Sequence, residues 1–341
     1  MQIQHIVVTR FCLRYWHRSR PFDGMKLQRE FEPMAADNLR LRTLTISAIT
    51  YPSIASQTYQ NFDWVIMVEP DLDQAWLEKL TEFASRHKNI HIHPLDDDTE
   101  LGFNFWLKPY IREDTRYLAT TLLDDDDALC PGYMQVLHDS IEQDLEAGAY
   151  PLRLYGTLRA IQWDMDFRES SVYGRFAPEW HRRNHAAVAC GLTLVARYPE
   201  VRISASAIRH GHLDAYFTPI HETHGNEPNV LWVQQQLKAD LHSMGLDPAV
   251  LFDVQLKRLD ELVDPMLLTN HGRNLQQNRI DEIKTGSRTV VPGQSFGSCE
   301  VNWALIKSHS ALFEGQARVS MIRKMVRRLR HFYRTVSGRL V

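Results

Sequence analysis

Residues 117–129 read Tyr-Leu-Ala-Thr-Thr-Leu-Leu-Asp-Asp-Asp-Asp-Ala-Leu, an apolar and β-branched run that passes directly into four aspartates. The first seven residues have the length and composition of a buried strand. Adjacent carboxylates repel one another, and a fold tolerates them at a strand end chiefly when a cation neutralises them. Upstream, residues 5–9 (HIVVT), 64–68 (WVIMV) and 90–94 read as further strands, the second stopped by Glu69-Pro70-Asp71. Residues 39–56 carry near-helical apolar spacing until Pro52, where an interruption is expected. Asp71 with Gln74 reads as a capping box for a helix that buries Trp76, Leu77, Leu80, Phe83 and Ala84. After the aspartates, Pro131 is expected to open a helix burying Tyr133, Val136, Leu137, Ile141 and Leu145 and closed by Gly148. Strands alternating with helices predict an α/β fold on a parallel sheet. Beyond Pro151, residues 152–161 and 187–196 read as β-rich, residues 163–180 as an aromatic loop suited to an acceptor-site wall, and residues 230–263 as helical.

The chain has 341 residues, 44% hydrophobic and 24% charged, which is the composition of a globular protein and excludes a disordered or collagenous one. Four scattered cysteines, Cys12, Cys130, Cys190 and Cys299, form no CxxC pair and suggest neither a zinc ribbon nor a disulfide framework. Residues 1–20 carry Arg10, Arg14, Arg18 and Arg20 without an apolar core, so no signal peptide is expected, and no run is long enough to span a membrane. These features predict a cytoplasmic protein. All 42 acidic residues lie at or before Glu314, and eight of the 39 Lys and Arg follow it. The body is therefore acidic, which argues against nucleic acid as a partner. From Met321 the apolar residues fall at three- and four-residue steps with Arg and Lys opposite, as in a basic amphipathic helix. Such a helix can lie on the inner face of an anionic membrane, dock on the acidic body, or contact a second copy.

In α/β sheets, ligands gather at the carboxyl ends of the strands, where Thr9-Arg10-Phe11, Glu69-Pro70-Asp71 and the four aspartates fall. If the acidic segment is extended, Asp124 and Asp126 face one side and Asp125 the other. Oxygen-only ligands favour Mg²⁺ or Mn²⁺, with substrate phosphates completing the shell. A solvated acidic turn is the alternative, and Asp96-Asp97-Asp98, with no comparable strand feeding it, is read as a charged loop.

Pro52-Ser53-Ile54, Ser56-Gln57-Thr58, Asn61-Phe62-Asp63-Trp64 and the run from Thr120 through the aspartates to Leu129 together resemble the rhamnosyltransferase family, relatives of the family 2 glycosyltransferases. Thr9-Arg10-Phe11 is similar to that family's opening strand end. Pro265-Met266-Leu267-Leu268 followed by His271-Gly272-Arg273-Asn274 is similar to its closing motif, with Leu267 in place of a Trp. The resemblance implies a GT-A fold over residues 1–285, with a nucleotide-binding part in about 1–130 and an acceptor part in about 131–285; residues 286–341 form a C-terminal extension. It further implies a dTDP-, UDP- or GDP-linked sugar donor, rhamnose by the family's label, and a saccharide or lipid-linked acceptor in surface-polysaccharide assembly. Carried over residue by residue, Asp124 and Asp126 would be the metal-binding DxD pair, Asp127 its acidic neighbour and His271 a late metal ligand. Glu69 or Asp71 would meet the nucleoside, with Thr9, Arg10, Phe11 and Asp125 completing the donor pocket.

An inverting transferase also needs a carboxylate to take the acceptor's proton. Asp214, Glu222 and Asp260 are the candidates, Asp214 first. His210-x-His212-x-Asp214 offers a rival reading, because that spacing is similar to the metal motif of metallo-β-lactamase-type zinc hydrolases, although Ala215 stands where they carry another His. A carbohydrate-binding module without catalysis is the third.

Overall fold

The computed structural model describes residues 2–14, 32–96, 98–157, 159–164, 171–176, 190–208, 213–217, 228–254, 256–259, 262, 266–270, 289–290 and 299–309. In chain order the first elements are β1 (Ile3–Arg10), α1 (Ala36–Thr45), a π-helical turn (Ile46–Thr50), α2 (Tyr51–Ala55), β2 (Phe62–Val68), α3 (Gln74–Ala84), β3 (Ile90–Pro94) and a 3-10 helix (Phe105–Tyr110). There follow β4 (Tyr117–Leu122), β5 (Ala128–Leu129), α4 (Tyr133–Ala147), β6 (Leu152–Gly156), β7 (Arg159–Asp164), β8 (Ser171–Phe176) and β9 (Thr193–Arg197). The last are α5 (Leu213–Phe217), α6 (Pro228–Ser243), β10 (Leu256–Arg258), β11 (Met266–Asn270), β12 (Thr289–Val290) and α7 (Trp303–Ser308).

The fold is α/β, built on a seven-stranded sheet of order β10-β6-β9-β4-β1-β2-β3. β1 pairs in parallel with β2 and β4, and β2 with β3, so these four strands end on the same side of the molecule. The parallel pairing expected of the strands before Pro151 holds, and the whole sheet is mixed because β9 runs antiparallel to both β4 and β6. A second sheet has the order β12-β8-β7-β11-β5. Apolar residues alternate between its larger neighbour's two faces: Trp64, Ile66 and Val68 of β2 join one core and Val65 and Met67 another. Burial on both faces is why this strand reads as an unbroken apolar run.

Four local expectations change. Pro52 does not interrupt its helix, because a π-turn precedes α2 and the Ala48 carbonyl, which proline cannot serve, accepts from the Asn302 amide at 2.7 Å. The cap of α3 is Asp73, whose carboxylate accepts from the Ala75 amide at 2.9 Å, and Asp71 is engaged elsewhere. Strand β8, paired antiparallel with β7, lies within the stretch read as an aromatic loop. The stretch read as helical, residues 230–263, holds α6, a 3-10 helix at Pro248–Asp253 and then β10. Residues expected in the C-terminal extension pack on the body, with Ile306 buried in the main core and Trp303 edge-on to Trp163 at 5.0 Å. No helix among the described residues is long and apolar enough to cross a membrane.

A buried histidine, His5, makes the fold pH-sensitive. His5 of β1 is fully buried and its Nε2 lies 3.0 Å from Nδ1 of His138, which stacks on Tyr59. Burial, reinforced by His138 and Arg112, lowers the His5 pKa from 6.5 to about 3. Between those values the unfolded chain binds a proton that the folded chain refuses, so stability rises with pH through this window and is lost as pH falls. The slope from this group approaches about 1.4 kcal/mol per pH unit. Urea unfolding from pH 4 to 6 should be less pH-dependent in His5→Gln than in the wild type; equal slopes would refute the assignment.

Candidate active site

Leu123 leaves β4 with its amide bonded to the Val8 carbonyl, and the four aspartates then turn, the Asp127 amide meeting the Asp124 carbonyl at 3.2 Å. This geometry corrects the expected strand-like alternation. In a turn, consecutive side chains can converge, and Asp125 and Asp126 share one guanidinium: Arg42 Nη1 lies 2.5 Å from Asp125 Oδ1 and 2.8 Å from Asp126 Oδ2. Asp124 instead pairs with Arg10 from the end of β1, at 2.7 Å. The Asp124 side chain is 38% exposed, against 3% for Asp125 and 6% for Asp126.

β11 braces the turn from behind. β11 and β5 pair antiparallel, Met266 opposite Leu129 and Leu267 opposite Ala128. Thr269 then donates its hydroxyl to the Asp126 carbonyl at 2.7 Å and its amide to Asp127 Oδ1 at 3.0 Å. Met266–Asn270, part of the stretch read as the closing motif, therefore lies against the acidic turn, while His271–Asn274 fall outside the described residues.

The electrostatics call for positive charge. Burial pushes the Asp125 carboxyl up, Arg42 pulls it down, and Asp126 and Asp124 push it up again. Burial also raises Asp127, helped by repulsion from Asp126 and Asp124 and opposed by the Thr269 amide. For Arg42, burial opposes the charge, but Asp125 and Asp126 outweigh it and hold the guanidinium protonated above its ordinary range. Asp125 Oδ2 is buried and has no hydrogen-bond partner among the described residues. Asp124, 38% exposed at the outer side of the turn, presents the hard oxygen donors that a divalent cation prefers. Among the described residues no three His, Cys, Asp or Glu converge as a complete metal cage. A cation whose shell is finished by substrate phosphates needs only one or two carboxylates.

Beside the turn, Cys12 adopts a left-handed backbone with φ 52° and redirects the chain as it leaves β1. The Arg14 amide then meets Glu69 Oε1 at 2.5 Å, and its guanidinium grips Asp71 through both carboxylate oxygens at 2.7 and 2.8 Å. The ends of β1 and β2 are thereby tied together. Thr9 is fully buried, its hydroxyl accepting from the Trp64 indole at 2.8 Å, and Phe11 is fully buried in the main core.

The structure thus gathers Arg10, Glu69, Asp71 and the four aspartates at one sheet end, with Thr9 and Phe11 packed beneath. Asp214 falls in α5, while Glu222, Asp260, His210, His212 and His271 lie outside the described residues, as does the basic segment 318–341. Sequence reasoning missed Arg42, Arg14 and Thr269 as site residues. Arg42 carried a usable signal: it stands three positions after Leu39 and four before Ile46, on the apolar face of the helical stretch.

Residues 4–146 match the family model described as "Putative rhamnosyl transferase". No curated protein matches the chain. Among solved structures, Staphylococcus aureus TarS 1-349 in complex with UDP is 14% identical, with 79% of this chain and 61% of that chain covered and a TM-score of 0.34. A Desulfovibrio desulfuricans G20 structure named a "putative nucleotide-diphospho-sugar transferase" is 10% identical over 93% of this chain and 99% of that chain, with a TM-score of 0.35. The chain spans 21% of the longer TarS structure.

Proposed function

We propose that this protein is a metal-dependent glycosyltransferase of the GT-A type that moves a sugar from a nucleotide-sugar donor to a saccharide acceptor. The observation that carries the reading is the acidic turn: four carboxylates at the end of a parallel strand, two of them buried around one guanidinium and Asp124 38% exposed beside Arg10. The family-model match over residues 4–146 supports it independently. In the reaction the bond between the anomeric carbon and the diphosphate oxygen breaks and the acceptor oxygen bonds to that carbon. The nucleoside diphosphate leaves with the bonding electrons. Mn²⁺ or Mg²⁺, held through Asp124 and Asp126 with His271, would stabilise the charge on that leaving group. Arg10 would contribute positive charge at the mouth of the turn, while Glu69 and Asp71, fixed by Arg14, would offer acceptors to the nucleoside. If configuration inverts, a carboxylate, Asp214 in our reading, takes the acceptor hydroxyl's proton. Rhamnose as the sugar rests on the family description, and a lipid-linked acceptor would suit membrane contact by the basic segment 318–341.

Thermal shift with UDP, dTDP and GDP, each with and without Mn²⁺, tests the reading. Stabilisation by one nucleotide only when Mn²⁺ is present is expected and would identify the donor's base. Stabilisation by Zn²⁺ alone, with no response to any nucleotide, would overturn it in favour of a hydrolase centred on His210 and His212.

A further inference from the structure

The acidic turn already contains a cation of the chain's own. α1 is fixed against the body by Leu39, Leu41 and Leu44, all buried in the main core. Between them Arg42 reaches inward, and a single nitrogen bridges carboxylates of two consecutive residues. The Arg10–Asp124 pair is a different kind of contact, because both of its side chains remain about a third exposed to water. Solvent screening makes such a pair weak and exchangeable, whereas the Arg42 contacts are shielded.

We infer that Arg42 is a positioning residue that locks Asp125 and Asp126 into the turn and weakens the turn's own affinity for a divalent cation. This rests on the glycosyltransferase reading for its catalytic consequence, and on the geometry alone for its effect on cation binding. Arginine suits the role better than lysine because its planar, delocalised charge holds two acceptors in a fixed arrangement, while an ammonium acts as a mobile point charge.

The full-length Arg42→Gln and Arg42→Lys proteins would be compared with wild type in two measurements. The first titrates Mn²⁺ without nucleotide and reads free Mn²⁺ by electron paramagnetic resonance. The second measures kcat and donor KM with whichever nucleotide sugar the thermal-shift plate selects. Loss of the internal charge should tighten Mn²⁺ binding by Arg42→Gln about 3-fold or more, with Arg42→Lys near wild type. Misplaced carboxylates should lower kcat about 100-fold in Arg42→Gln and about 10-fold in Arg42→Lys, with donor KM changed far less. Wild-type Mn²⁺ affinity and kcat in the folded fraction of both variants would overturn the inference, as would a lysine variant with wild-type kcat. If Arg42→Gln does not fold, Arg42→Lys alone decides through its kcat against KM. Should wild type itself turn over no donor, the glycosyltransferase reading fails, and the nucleotide-free Mn²⁺ titration still tests Arg42.

Discussion

Asp126→Ala should lose about 10³-fold or more in transfer rate while remaining folded. A cation contact to a departing diphosphate contributes several kcal/mol of transition-state stabilisation, and about 4 kcal/mol corresponds to that factor. The fold should survive for a specific reason: the Thr269 hydroxyl bonds to the main-chain carbonyl of residue 126, which alanine keeps. Arg42 also keeps its 2.5 Å contact with Asp125, so no guanidinium is left buried and unpaired. Asp126→Asn preserves shape without charge and should be nearly as impaired. Turnover, circular dichroism and Mn²⁺-dependent nucleotide thermal shift would be measured together. Turnover within about 3-fold of wild type would remove Asp126 from the metal site and with it the DxD assignment, because loss of a metal-bridging carboxylate cannot be that mild.

Gly191→Ala should produce the largest stability loss of any single methyl addition near the site. Gly191 has a φ of +76°, and a Cβ built there would stand 2.6 Å from Tyr133 Oη, 2.8 Å from Tyr133 Cζ and 3.0 Å from Met266 Cε. The tyrosine cannot step aside, since it is fully buried and its hydroxyl donates to the Gly191 carbonyl at 2.6 Å. A left-handed backbone costs an alanine about 1–2 kcal/mol, and overpacking a filled core adds about 1–3 kcal/mol. A melting temperature lower by on the order of 10 °C follows. The Gly191 amide also bonds the carbonyl of Leu122, the last residue of β4 and two before Asp124, at 2.7 Å, so donor binding should weaken as well. Tyr133→Phe in the same background removes the nearest contact and should recover part of the loss. A change below about 1 kcal/mol would mean that the core yields more readily than its packing implies.

The strands were readable because apolar runs bounded by polar or proline residues carry their own signal. β3 has the expected limits, and β1, β2 and β4 extend the expected ranges or shorten them by only a residue or two. What local pattern could not supply was any term set by distant partners. Pro52 reads as a helix stop until Asn302 is known to occupy the Ala48 carbonyl. Asp71 reads as a cap until Arg14 is known to hold it, whereupon Asp73 takes that role. The antiparallel course of β9 depends on its pairing between β4 and β6, which no periodicity reports. At the site, residue type picked out the aspartates. Their conformation as a turn, and the arginine that binds two of them, follow from tertiary contacts between α1 and the end of β4.

The brace that β11 places behind the acidic turn has a consequence for how the protein is made. Asp126 and Asp127 are synthesised 143 and 142 residues before the threonine that holds them. Strand β4 must likewise wait for β9 to cover its open edge. A nascent chain that has emerged through residue 146 contains the whole family-matched stretch, yet it exposes an unpaired strand edge and four aspartates with no brace. Such contacts form late because the loop they close is long. Until then the growing polypeptide carries an unpaired edge of the kind that other chains can join. The last third of the sequence therefore acts as a maturation step: translation must reach β11 before a competent site exists, and any fragment that stops short of it is expected to be inactive and prone to self-association.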